Sequence, residues 1–205
     1  MKYRADIAGL RAVAVLPILL FHAGVNSLPG GFVGVDIFFV ISGFLITGII
    51  VRELDQGRFT ITEFYRRRVA RIVPALVAML LVTLLAGYVV MLPSELAALG
   101  GSAAWASLFL SNVHFYMTAD YFGAAAETTP LLHTWSLAVE EQFYIFYPPL
   151  MMLLWRWRRV APRTAVAVVC LLSFAVALLL GQRGGSSLAA AFYLIPSRAW
   201  ELGLG

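Results

Sequence analysis

Arg11 and His22 stand in a stretch, Ile7–Gly24, that is otherwise almost wholly apolar. At helical pitch their eleven-residue spacing brings the two side chains to within roughly 20° of one face, about 16 Å apart along the axis. Ionisable groups in a membrane helix are costly, so they usually face a cavity or a partner and mark function. Histidine works as a base near neutral pH, and arginine holds anions. A second apolar run, Phe32–Val51, carries Asp36 near its start, and only a short turn separates the two runs. Such neighbours can bring a carboxylate onto the imidazole, orienting it and raising its basicity, which is a general-base arrangement. The same pair also reads structurally, as a hydrogen-bonded tie between two helices. Arg11 either snorkels to headgroups or faces an inward cavity and binds an anion.

Two further clusters carry chemistry. Arg66-Arg67-Arg68-Val-Ala-Arg71 precedes a third apolar run. Arg68 and Arg71 share a helical face, and their forked donors suit a diphosphate. Basic clusters at span ends also serve as plain topology signals. The run His133-Thr-Trp-Ser-Leu-Ala-Val-Glu140-Glu141-Gln142-Phe-Tyr144 is the richest polar stretch. His133, Glu140 and Tyr144 share one helical face, while Glu141 points about 100° away. Adjacent glutamates inside a span are expected to be buried acids paired with Arg or His, or to position a substrate hydroxyl. Arg198 and Glu201 are i,i+3 neighbours and read as an intrahelical ion pair, with a supporting role at a site as the other option.

Other chemistries lack their signatures. There is no Gly-x-Ser-x-Gly elbow and no Walker glycine loop. Three scattered histidines give no metal-ligand pattern, so no metal is expected. His114 is isolated and reads as structural. The single cysteine, Cys170, rules out an internal disulfide.

The elements that must position these groups follow from composition. The 205 residues are 61% hydrophobic and 13% charged, against about a quarter charged in soluble domains. Mean hydropathy is +0.85. Continuous apolar runs of about 18–22 residues indicate helices rather than barrel strands. The expected fold is an all-α, polytopic transmembrane bundle with spans near 7–24, 32–51, 72–92, 132–154, 164–181 and 188–205. Thirteen of the fifteen basic residues fall on one side if the apolar stretch 96–117 does not cross. That stretch is therefore expected to be re-entrant or intramembrane, and the N-terminus cytoplasmic. The net charge of +4 comes from short basic loops and does not argue for nucleic acid. The closing Glu201-Leu-Gly-Leu-Gly carries no polar flank, so an N-terminal part of a longer membrane domain is expected.

Four segments, taken together, resemble a known family. They run from Arg4-Ala-Asp-Ile-Ala-Gly-Leu-Arg11 through Phe21-His22; Gly-Phe-Val-Gly-Val-Asp36-Ile-Phe-Phe-Val-Ile-Ser-Gly-Phe-Leu-Ile; Phe-Tyr-Arg-Arg-Arg-Val-Ala-Arg71-Ile-Val-Pro74; and Leu-Leu-His133 through Tyr144. In this order they are similar to the acyltransferase-3 family of bacterial membrane O-acyltransferases, which modify O-antigen, peptidoglycan and other surface glycans. The resemblance implies acyl transfer, most often of acetyl, from cytoplasmic acyl-CoA to a glycan hydroxyl outside, in the bacterial inner membrane. It makes His22 the catalytic histidine, Arg11 its partner, and Arg68 with Arg71 the donor-side pair. Asp36, and Glu140 with Glu141, are softer assignments, the first catalytic, the others substrate-binding together with His133. No bound cofactor is implied; acyl-CoA is a co-substrate, and the acceptor is a glycan or a lipid-linked saccharide. His22 serves as general base on the acceptor hydroxyl or forms a transient acyl-histidine. The competing class is a proton-coupled or glycan transporter using His22, Asp36 and Glu140 as a relay, which needs no phosphate-binding cluster.

Overall fold

The computed structural model describes residues 5–23, 30–118, 129–157 and 162–205, with the side chains of His22 and Trp157 excepted. The described residues form helices without strands. Helix α1 is Ala5–His22, and α2 is Gly34–Asp55, entered through a 3-10 turn at Gly31–Val33. Helix α3 is Ile61–Val90, α4 Pro93–Ser107 and α5 Ser111–Thr118. Helix α6 is Thr134–Trp157, α7 Pro162–Gly181, α8 Gly185–Tyr193 and α9 Ile195–Leu204. Three stretches, Gly31–Asp55, Ile61–Val90 and Pro162–Gly181, are long and apolar enough to cross a membrane. The protein is an all-α membrane protein.

Helix α2 is the hub. It packs against α1 on one side and against α6 and α9 on the others. Close approach is bought with small residues. A Cβ on Gly34 would run into the Ala14 carbonyl of α1, and one on Gly43 into the Leu202 carbonyl of α9. In lipid, where apolar surface gains little from leaving the solvent, such backbone contact is what holds helices together. By contrast α7 buries only 6% of its most apolar window, so most of that surface faces outward.

Two stretches depart from unbroken spans. The segment near 96–117 is divided between α4 and α5. At about 1.5 Å per residue, the 15-residue α4 and 8-residue α5 reach roughly 22 and 12 Å, short of the hydrocarbon core of about 30 Å. The break is a Schellman turn. Leu110 N–H donates to Trp105 O and Phe109 N–H to Ala106 O, with Phe109 at φ 55°, a place usually held by glycine. The other departure is the expected span 188–205, which is two helices meeting at Leu194. Pro196 has no N–H to offer the Phe192 carbonyl four residues back. That carbonyl accepts instead from Arg198 Nε at 2.9 Å, and the Tyr193 carbonyl from Asn112 Nδ2 at 3.1 Å. Buried irregular backbone in a membrane survives only when its polar groups are matched in this way.

Helix α3 begins eleven residues before the apolar run expected at 72–92, so Arg66–Arg71 lie on its opening turns rather than in a loop. It packs closely on α4. It reaches α6 through long side chains: Tyr65 donates its hydroxyl to the Ile145 carbonyl at 2.7 Å, and Arg68 lies over the Tyr144 ring. The space between these separated helices becomes the site.

Candidate active site

A cavity of about 440 Å³ opens among α1, α2, α3 and α6. Helix α1 supplies Arg11, whose guanidinium lies 5.1 Å from the Phe38 ring centre on α2. Helix α3 supplies Arg68 and Arg71; the start of α6 supplies His133, Thr134, Ser136, Glu140 and Tyr144. Five of the eight residues singled out from sequence thus share one wall. Glu140 accepts a hydrogen bond from the Tyr144 hydroxyl. Apart from Ser42, the remaining lining, including Leu45, Ile46, Ile72 and Met79, is apolar, as a site that fixes a ligand with few polar groups requires.

A second cavity of about 560 Å³ adjoins it, lined by Arg52, Arg58, Arg67, Arg68 and Arg71 with Glu53 and Glu63. Arg68, Arg71 and Ile49 belong to both walls. The arginines divide into two kinds. Arg66 forms a two-pronged pair with Glu63 at 2.7 and 2.8 Å, and Arg67 a similar pair with Glu53 at 2.8 and 2.9 Å. Among the described residues no carboxylate lies in ion-pair range of Arg68 or Arg71. Arg68 is instead half-buried between the Phe64 and Tyr144 rings, 5.6 and 5.3 Å from their centres. Guanidiniums left without anions at the junction of two cavities are available to an anionic ligand.

The remaining expected residues lie elsewhere. Helix α1 carries the backbone of His22 to its end, but that side chain is outside the described residues, and so is any contact it makes with Asp36. Asp36 accepts from Arg198 at 2.9 Å. The same guanidinium nitrogen pairs with Glu201 at 2.6 Å, as the i,i+3 spacing suggested. Arg198 also sits over the Phe192 and Trp135 rings. The Asp36 contact joins residues 162 positions apart, and nothing local in the sequence signals it. Glu141 is buried, 9% exposed, away from the cavity wall, and its Oε1 has no hydrogen-bond partner. This matches its divergence from the His133–Glu140–Tyr144 face. Tyr144, which touches both Arg68 and Glu140, lies on the helical face that its spacing from His133 and Glu140 marked.

The description that matches this chain is an acyltransferase domain, over residues 4–200. The chain belongs to the acyltransferase-3 family. Among its relatives it is 37% identical over 158 residues to the peptidoglycan O-acetyltransferase OatA of Listeria monocytogenes, covering 76% of this chain and 25% of that protein. To the O-acetyltransferase OatA of Staphylococcus aureus it is 35% identical over 175 residues, covering 84% of this chain and 28% of that one. The chain therefore spans about a quarter of the length of these relatives. No solved structure matches it.

Proposed function

We propose that this acyltransferase-3 chain forms part of a membrane O-acetyltransferase that takes acetyl from cytoplasmic acetyl-CoA and delivers it to a hydroxyl of a cell-surface glycan, either polymeric or lipid-linked. The observation that carries the reading is the position of Arg68 and Arg71. Among the described residues neither has a carboxylate partner, and both line the basic vestibule and the intramembrane cavity. The phosphates of CoA meet guanidiniums there, with bidentate geometry that lysine would not give. The extended arm of CoA then passes Tyr144 and carries its thioester toward the His22 end of α1. In this orientation the N-terminus and the vestibule are cytoplasmic, in agreement with the clustering of basic residues.

In the transfer step His22 takes the proton of the acceptor hydroxyl. The hydroxyl oxygen bonds to the thioester carbonyl carbon, and the carbon–sulfur bond breaks. The thiolate of CoA leaves with that proton, and the acceptor leaves as an ester. Base catalysis of this kind supplies roughly 10²- to 10⁴-fold. Arg11, in the cavity wall, stabilises negative charge on the donor.

Membranes carrying the full-length protein, given radiolabelled acetyl-CoA, should pass label to glycan, and the His22→Ala protein should insert normally and pass none. Solute flux without labelled glycan would favour a carrier instead. Undiminished transfer by His22→Ala would remove that residue from the step.

A further inference from the structure

Arg68 and Glu140 line the same cavity, carry opposite charge, and do not pair. In a low-dielectric site such charges attract strongly, so something holds them apart. One side chain contacts both. Tyr144 is buried, 4% exposed, and sits one helical turn beyond Glu140 on α6. Its hydroxyl donates to the Glu140 carboxylate, while its ring face carries the Arg68 guanidinium. Phe64 lies against the same guanidinium, and Tyr65 fixes α3 to the Ile145 carbonyl next to Tyr144.

We propose that Tyr144 is a positioning residue that keeps Arg68 and Glu140 from neutralising one another. The inference rests on the functional reading above, since it gives the unpaired Arg68 to the phosphates of acyl-CoA. The tyrosine offers the carboxylate a neutral donor at its hydroxyl and the cation a neutral π-face, so each charge has a neutral partner in place of the other. A phenylalanine would keep the face and lose the donor. Glu140 would then seek the nearest cation, and the arginine would enter each binding event already paired.

Equilibrium binding of radiolabelled acetyl-CoA to membranes of the full-length protein tests this, with His22 intact throughout. Tyr144→Phe should weaken binding roughly tenfold to a hundredfold, the range of one lost hydrogen bond to a charged group. Glu140→Gln alone removes the carboxylate that could capture Arg68 and sets the reference affinity. The double variant Tyr144→Phe/Glu140→Gln should bind as tightly as Glu140→Gln alone, because a neutral amide cannot capture Arg68. A tyrosine that only fills space would give additive losses with no recovery. Unchanged binding in Tyr144→Phe, or failure of the double variant to recover, overturns the inference and leaves the functional reading standing. A wild-type protein that binds no acetyl-CoA sinks the functional reading and this one with it. Where Tyr144→Phe inserts poorly, Tyr144→His, which retains a ring donor, should bind as wild type does; weakened binding there in properly inserted protein also counts against the proposal.

Discussion

Arg198 and Arg68 are the same side chain put to opposite uses. Arg198 is held by carboxylates from two helices, a backbone carbonyl and two aromatic rings. Arg68 lies against two rings and, among the described residues, has no carboxylate in ion-pair range. A cation matched by carboxylates and a backbone carbonyl fixes geometry, and breaking its set strands the partners. A half-buried cation that is matched only by π-faces costs the fold little to keep and retains its capacity for an anion. The contrast teaches that in this bundle the count of carboxylates around each arginine, more than its depth, separates scaffold from site.

The sharpest way to break the comparison is Arg198→Met. It leaves Asp36 and Glu201 without their cation, and removing one member of a buried pair costs about 3–5 kcal/mol. A collapse of the thermal midpoint in detergent, relieved when Asp36→Asn and Glu201→Gln are added, is the expected result. Little change would place Arg198 among the dispensable arginines. Next in size is the Arg68→Glu/Arg71→Glu protein. It should fold with an unaltered midpoint yet lose donor affinity by roughly tenfold to a hundredfold per charged contact removed. A matching fall in stability would mean that these residues belong to the scaffold. Because the vestibule is open, acetyl-CoA affinity should also fall on raising salt from 0.05 to 0.5 M (nominal concentrations), as screened charges do. Smaller again is Arg67→Ala, which removes a surface pair with Glu53 worth about 0.2–1 kcal/mol and should leave donor affinity nearly intact. Arg66→Ala, at the exposed Glu63 pair, should move neither midpoint nor affinity.

Much of this contrast could be read from the chain before any coordinates, and part of it could not. The spacing of His133, Glu140 and Tyr144 put them on one face, and the cavity wall carries all three. The Arg68–Arg71 pair likewise needed only helical pitch. The Arg198–Glu201 contact was local and legible, but its third member, Asp36, comes from a helix far away in sequence, where periodicity says nothing. The apolar run expected at 72–92 marked only the later part of α3; arginine is a good helix former, and the helix continues outward past the apolar stretch through Arg66–Arg71. The break at Leu194 was masked by apolar residues on both sides, although Pro196 marked it. Which arginines are neutralised depends on Glu53 and Glu63 reaching across from α2 and along α3, and charge composition alone could not assign those pairs.

The turn at Leu108–Leu110 has a consequence for how the protein is made. Its Phe109 carbonyl is answered by Gln142 Nε2 at 3.0 Å, thirty-three residues later in the chain. Gln142 also exchanges hydrogen bonds with Asn112, whose amide in turn serves the Tyr193 carbonyl. During synthesis the α4–α5 segment emerges before Gln142, so the Phe109 carbonyl gains this side-chain donor only once α6 is made. A chain truncated between Thr118 and Gln142 should accordingly leave the turn at Phe109 more open to protease than the longer chain does.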